Sequence, residues 1–121
     1  MLKQLLNSFR YAWAGIAELV HSQFNAKIHL AAAGITIGAG FFFGISRMEW
    51  CAVIFAITIV MVTETVNTAI EYLTDLTSPD YHPLAGKAKD LAAGAVLLSS
   101  MGAVAVGLIV FLPKVIAFLF F

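Results

Sequence analysis

Polar and apolar positions follow a helical period in one stretch of this chain and give way to continuous apolar runs in three others. Near the start, Leu2, Leu5, Leu6, Phe9, Trp13, Ile16, Ala17 and Val20 recur at three- and four-residue steps. Lys3, Asn7, Arg10, Glu18 and His21 fall on the opposite face. This spacing predicts an amphipathic helix over residues 1–26, with its apolar face in a membrane interface. It has neither the unbroken apolar core nor the small-residue cleavage site of a signal peptide. Leu30–Ser46 is then a run of seventeen uncharged residues, Trp50–Thr63 one of fourteen, and Leu91–Pro113 one of twenty-three. The second run keeps its apolar character to about Leu73 apart from its carboxylates. A spanning helix needs about 20 mostly apolar residues, so spans are expected at 30–46, 50–73 and 91–113. Residues 74–90 are left as a loop between the last two.

Composition turns these elements into a class. The 121 residues are 61% hydrophobic and 12% charged, too few polar groups to cover a water-soluble fold. The reading is a single-domain, all-α integral membrane protein over residues 1–121. Seven basic and seven acidic side chains cancel, which speaks against a nucleic-acid partner because that would need a basic face. Cys51 is the only cysteine, so an intrachain disulfide is excluded.

Charge also orients the spans. Lys3, Arg10, Lys27, Lys87 and Lys89 fall on one side of the predicted membrane, and only Arg47 and Lys114 on the other. The positive-inside rule makes the richer side cytoplasmic, so the N-terminus and the 74–90 loop face the cytosol. Three spans enclose little, and a working site is therefore expected between subunits.

The chemistry concentrates in "ETVNTAIEYLTD", residues 64–75. Glu64, Asn67, Glu71 and Asp75 are three, four and four positions apart, which places them on one helix face. Glu64 lies about 10 Å deeper than Glu71 at ~1.5 Å of rise per residue. An acidic residue at mid-membrane costs about 2.5–3.5 kcal/mol on insertion scales. Such a residue marks a functional site by default, with helix assembly, neutralised by Lys27 and Arg10, as the other reading. The deeper carboxylate suits a general base, and the shallower one a divalent-cation ligand, with Asn67 between them. "TSPDYHPLAGKAKD" follows with Asp80, Tyr81, His82, Lys87, Lys89 and Asp90, and the cations among these could meet phosphate. It lacks the spaced glycine and Ser/Thr of a P-loop, which excludes a soluble-type nucleotide fold.

Other features read as packing. His21 and His29 are eight apart without a third ligand and do not make a zinc site. Phe41–Phe43 and Phe118–Phe121 read as lipid-facing, and Gly34, Gly38, Gly40 and Gly44 as small-residue helix contacts.

"ETVNTAIEYLTD" followed by "YHPLAGKAKDLAAGAVLL" resembles the signature of the prokaryotic diacylglycerol kinase family, which includes undecaprenol kinases. "FRYAWAG" and "NAKIH" extend the likeness over most of the chain. The resemblance implies a homotrimeric kinase of the bacterial inner membrane with three spans and an interfacial helix per subunit, using ATP and Mg2+ to phosphorylate a lipid alcohol. By position it makes Glu64 the catalytic base and Glu71 a ligand of the nucleotide-bound metal, with Asn67 beside them. It places Tyr11, Asp80, Tyr81, His82, Lys89 and Asp90 along the nucleotide, with Glu71. Arg10, Asn25 and Lys27, with Glu64 and Asn67, fall toward the lipid substrate. Gln23 stands where the family usually has a second metal-binding glutamate; its amide oxygen can ligate Mg2+ without adding negative charge. Gln4 stands at an arginine of some members. "NAKIH" leans toward the undecaprenol branch.

A rival class remains on the residues alone: a non-catalytic membrane protein that uses its carboxylates for cation or proton passage or senses lipid. The Tyr-His and Ala-Lys-Asp segments separate the two, because a proton path has no use for them and a nucleotide does.

Overall fold

The computed structural model describes all residues, Met1–Phe121, as four helices: α1 (Leu2–Ser22), α2 (Phe24–Phe43), α3 (Arg47–Thr77) and α4 (Pro83–Phe120). The last three are long and apolar enough to cross a membrane.

Local sequence explains where the helices stop. α1 and α2 meet at Gln23, whose extended backbone (φ −102°, ψ 118°) turns the chain at a single residue. α2 ends on Gly44 in the left-handed region (φ 59°, ψ 51°), where a side chain would be strained. The Ile45 N–H donates to the Gly40 carbonyl at 3.1 Å and the Gly44 N–H to that of Phe41 at 3.3 Å, the two bonds of a Schellman cap. α3 then opens with a reciprocal capping box. The Glu49 N–H donates to Ser46 Oγ at 3.2 Å, and the Ser46 N–H to Glu49 Oε2 at 2.7 Å. At the other turn, His82 Nδ1 accepts from the Leu84 N–H at 3.1 Å, and Pro83 occupies the first helical position, where no amide hydrogen is needed.

α3 and α4 form the core as an antiparallel pair. Three polar contacts fix its register from end to end: Asp75–Lys89 near the 78–82 turn, Thr63 Oγ1 to Ser99 Oγ at 2.7 Å midway, and Lys114 Nζ to Glu49 Oε1 at 2.9 Å at the far end. Ile45, Val53 and Val110 form the apolar cluster, with Phe43, Trp50 and Phe111 packed around it. α2 leans on this pair more lightly. α1 buries only Leu19 and is tied to α3 by the Tyr72 hydroxyl, which lies 2.9 Å from Glu18 Oε1 and 3.2 Å from Ser22 Oγ. Only 13 of 121 residues are buried, so most of the apolar surface must be covered by something other than this chain.

Several expectations are corrected. Residues 74–90 are not one loop: α3 runs to Thr77, α4 starts at Pro83, and only 78–82 is irregular. Polar side chains do not by themselves break a helix, and Leu84, Ala85, Lys87, Ala88 and Lys89 after Pro83 are good helix formers. The first helix stops at Ser22, short of residue 26, and the next begins at Phe24, before residue 30. The helix at 91–113 runs on through Pro113 to Phe120; proline removes one backbone donor there without ending it. Of the four glycines read as close contacts, only Gly40 is one: a Cβ there would stand 2.7 Å from the Trp50 ring. Gly34 and Gly38 have open space, and Gly44 serves the cap. The phenylalanines touch one another as well as the outside, with Phe42 and Phe43 ring centroids 5.7 and 6.2 Å from that of Phe118.

Candidate active site

The inward face of α3 is apolar for two turns and then becomes polar without turning outward. Val53, Ala56 and Val60 are buried, and at the same three- and four-residue steps they are followed by Glu64, Asn67 and Thr68, also buried. Glu64 is 1% exposed. A carboxylate therefore occupies a position that the heptad-like pattern would give to a leucine, which is costly unless used or paired.

Its pairing is incomplete. Glu64 Oε2 accepts no hydrogen bond within the chain. The nearest cation-capable group is His29 Nε2 of α2 at 3.7 Å, beyond hydrogen-bond range. Neither Lys27 nor Arg10, the partners expected for a purely assembling stripe, makes an ion pair. Thr68 Oγ1 donates to the Glu64 backbone carbonyl at 3.0 Å and so leaves the carboxylate alone.

One turn further out, Asn67 Nδ2 donates to Glu71 Oε1 at 3.2 Å, and Asn67 Oδ1 is a second buried oxygen without a partner. Glu71 is half-buried. Asp75 leaves the stripe: it is exposed and pairs with Lys89 on α4. The expected row of four is thus a row of three, Glu64, Asn67 and Glu71, plus an ion pair at the end of the helix hairpin. Spacing keeps Asp75 within about 20° of Glu64 around the helix axis at ~100° per residue; it leaves the row because it stands at the exposed end of α3, where Lys89 of α4 meets it.

The other expected contacts are spread around the end of the α3–α4 hairpin that carries the 78–82 turn. Asp80, Tyr81 and Asp90 are exposed, and the Asp80 carbonyl accepts from Ser78 Oγ at 2.9 Å. His82 spends its Nδ1 on the α4 cap. Tyr11, Arg10, Asn25 and Lys27 are exposed on α1 and the start of α2. No hydrogen bond or ion pair within the chain joins these residues to Glu64 or Glu71.

Gln23 is half-buried at the α1–α2 junction, where its Nε2 donates to Ser22 Oγ at 3.4 Å and its carbonyl oxygen stays available. No three His, Cys, Asp or Glu side chains converge. Mg2+ is commonly held by one or two carboxylates together with phosphate oxygens and water, so Glu71, with Oε2 left over by Asn67, fits that role and a closed protein cage is not needed.

The side chain that sequence reasoning passed over is His29. Its signal lies in the pattern of α2, whose inward face carries Ala26, His29, Ala33, Thr36 and Gly40 at three- and four-residue steps; a histidine among small residues on a packing face has to point at the neighbouring helix. Beside it, between α2, α3 and α4, lies a cavity of about 250 Å³ lined mainly by Ala33, Val53, Ala56, Val60 and Ala103, with the unpartnered hydroxyl of Ser100 also on its wall.

Comparison with known proteins bears on what such a site does. A sequence model of the family described as prokaryotic diacylglycerol kinase matches residues 10–111. The chain is 39% identical over 113 residues to an undecaprenol kinase of Bacillus subtilis (strain 168), covering 93% of this chain and 92% of that protein. It is 40% identical over 114 residues to a diacylglycerol kinase of Synechocystis, covering 93% of this chain and 65% of that one. With the diacylglycerol kinase of Escherichia coli (strain K12) it shares 25% identity over 101 residues, 84% of this chain and 83% of the other.

Proposed function

The chain belongs to the prokaryotic diacylglycerol kinase family and is a lipid kinase, and from that premise we propose that it transfers the γ-phosphoryl group of ATP to the hydroxyl of a membrane lipid alcohol, undecaprenol or a diacylglycerol, with Glu64 as the base. The observation that carries the proposal is the buried Glu64 carboxylate with one oxygen unsatisfied on the packing face of α3. A buried acceptor without a donor costs stability, and a substrate hydroxyl is the donor that would complete it.

Phosphoryl transfer asks a protein chiefly for positioning and for compensation of charge on the phosphoryl oxygens. Glu64 accepts the proton of the lipid hydroxyl as its oxygen approaches the γ-phosphorus. Asn67 keeps Glu71 aimed by its 3.2 Å hydrogen bond. Glu71, with the Gln23 amide oxygen, would hold Mg2+, which when bound offsets negative charge on the nucleotide phosphates. Lys89 leaves Asp75, or shares it, to meet those phosphates; Asp80, Tyr81, His82, Asp90 and Tyr11 line the rest of the nucleotide. Arg10, Asn25 and Lys27 face the lipid headgroup region.

The depth of Glu64 suits this division. A 30 Å hydrocarbon layer takes about 20 residues of helix. Counted from Trp50, that leaves Glu71 and the helix end in the cytoplasmic headgroup layer and Glu64 about 9 Å below it, within reach of a lipid hydroxyl but not of bulk water. The excess of Lys and Arg on that side supports a cytoplasmic active end. The large uncovered apolar surface suits a place in the inner membrane, where lipid and the neighbouring subunits of a homotrimer would cover it, with α1 lying in the interface. Cation passage is not favoured, because kinase relatives extend over nearly the whole chain.

The test is transfer of labelled phosphate from ATP with Mg2+, in detergent micelles, to undecaprenol and to diacylglycerol side by side. Label in either lipid supports the proposal, and the ratio of kcat/KM names the acceptor. Folded protein that labels neither lipid would overturn it.

A further inference from the structure

Glu64 has one unsatisfied oxygen, and the group facing it across the gap is His29. The 3.7 Å separation of His29 Nε2 and Glu64 Oε2 is too long for a direct hydrogen bond. A hydroxyl oxygen about 2.8 Å from each atom would bridge them with an angle of about 80° at that oxygen. One hydroxyl can donate to a carboxylate while accepting from an imidazole N–H, so both contacts can form at once.

Ala26 is fully buried and Ala33 nearly so, one turn on either side of His29, so the face of α2 that carries the imidazole is covered above and below it. The cavity of about 250 Å³ opens beside the ring with mostly apolar walls, leaving room for the first carbons attached to a bridging hydroxyl.

We propose that His29 is a second catalytic contact, an Nε2–H donor that clamps the acceptor hydroxyl of the lipid against Glu64 and fixes the direction of its attacking lone pair. The inference rests on the reading of Glu64 as base. In the step itself, the bond from the lipid oxygen to the γ-phosphorus forms and the bond from that phosphorus to the β–γ bridging oxygen breaks, its electron pair leaving with ADP. The hydroxyl proton passes to Glu64 Oε2. His29 keeps its proton throughout, and its N–H follows the lipid oxygen from hydroxyl to phosphate ester.

Three substitutions test this. Glutamine carries an amide nitrogen near the place of Nε2, whereas asparagine reaches only to that of Nδ1 and leucine fills the space without a donor. His29→Leu and His29→Asn are expected to lose 10- to 100-fold in kcat/KM for the lipid, the size of one hydrogen bond to a group gaining charge. His29→Gln should stay within about fivefold of the parent, and KM for ATP should not move in any of them. If His29→Leu misfolds, the Gln/Asn contrast still reads the donor. Glutamine as impaired as asparagine, or leucine and asparagine within twofold of the parent, would overturn the clamp. Glu64→Gln run in the same assay separates the two readings: an inactive Glu64→Gln beside unaffected His29 variants removes the clamp alone, and an active one removes the base and the clamp with it.

Discussion

Replacing Glu64 by glutamine separates catalysis from stability. The side chain is 1% exposed, on the seam that continues Val53, Ala56 and Val60, and its Oε2 has no partner. Glutamine has nearly the same volume, so no cavity opens and no contact of the α3 face is lost. A neutral amide is much cheaper to bury than a carboxylate. Its two N–H donors also enter a neighbourhood where Asn67 Oδ1 is an acceptor without a donor. The Tm of Glu64→Gln in detergent is therefore expected to equal or exceed that of the parent. Turnover should behave oppositely. A positioned general base is worth about 10²- to 10⁴-fold, and a glutamine cannot take a proton from a hydroxyl, so kcat for lipid phosphorylation should fall by that range, about 2.7–5.4 kcal/mol of barrier. Thermal melting by intrinsic fluorescence and phosphate transfer to lipid, measured on one preparation, check both halves. A variant that keeps more than a tenth of the parent turnover would refute the base. A Tm lowered in step with activity would show that Glu64 holds the helices together.

Other substitutions read the remaining contacts. Asn67→Asp exchanges the donor that holds Glu71 for a like charge one turn away, and should raise KM for MgATP at least tenfold in a transfer assay, whereas Asn67→Ser should cost only a few-fold. Ser99→Ala removes the hydroxyl that meets Thr63 at 2.7 Å between α3 and α4. Interhelical bonds of this kind are worth ~0.6 kcal/mol, up to ~1.7, in membranes, so a small fall in Tm with kcat unchanged is expected. Gly40→Ala sets about 1 kcal/mol of helix propensity gained against overpacking of ~1–3 kcal/mol, because the new Cβ would stand 2.7 Å from Trp50 and 3.2 Å from Ile45 Cδ1. A net loss of up to ~2 kcal/mol, read as a lower denaturation midpoint, is the expected outcome.

Much of this architecture is legible in the sequence because the bilayer leaves a chain few choices. An uncharged run of about 20 residues must satisfy its backbone internally, and a helix is the way to do so. Leu30–Ser46, Trp50–Thr63 and Leu91–Pro113 therefore announce α2, α3 and α4, and the three- and four-residue spacing of Glu64, Asn67 and Glu71 puts them on one face whatever surrounds them. The capping residues Ser46, Glu49, Gly44 and Pro83 mark turns for equally local reasons. The end of α3 has no such punctuation and was not legible: residues 74–77 stay helical because exposed polar side chains do not by themselves oppose a helix.

What faces Glu64 is decided by the tertiary structure. Residues 29 and 64 lie far apart in the chain, and nothing local to either states that α2 approaches α3 with His29 at the depth of the carboxylate. The same holds for Asp75, which its spacing assigns to the carboxylate face and which the antiparallel register of α3 and α4 gives to Lys89. Helical period is set by the backbone and can be read along one strand of sequence. The partner of a side chain is set by how two helices pack, which depends on the summed shape of both surfaces.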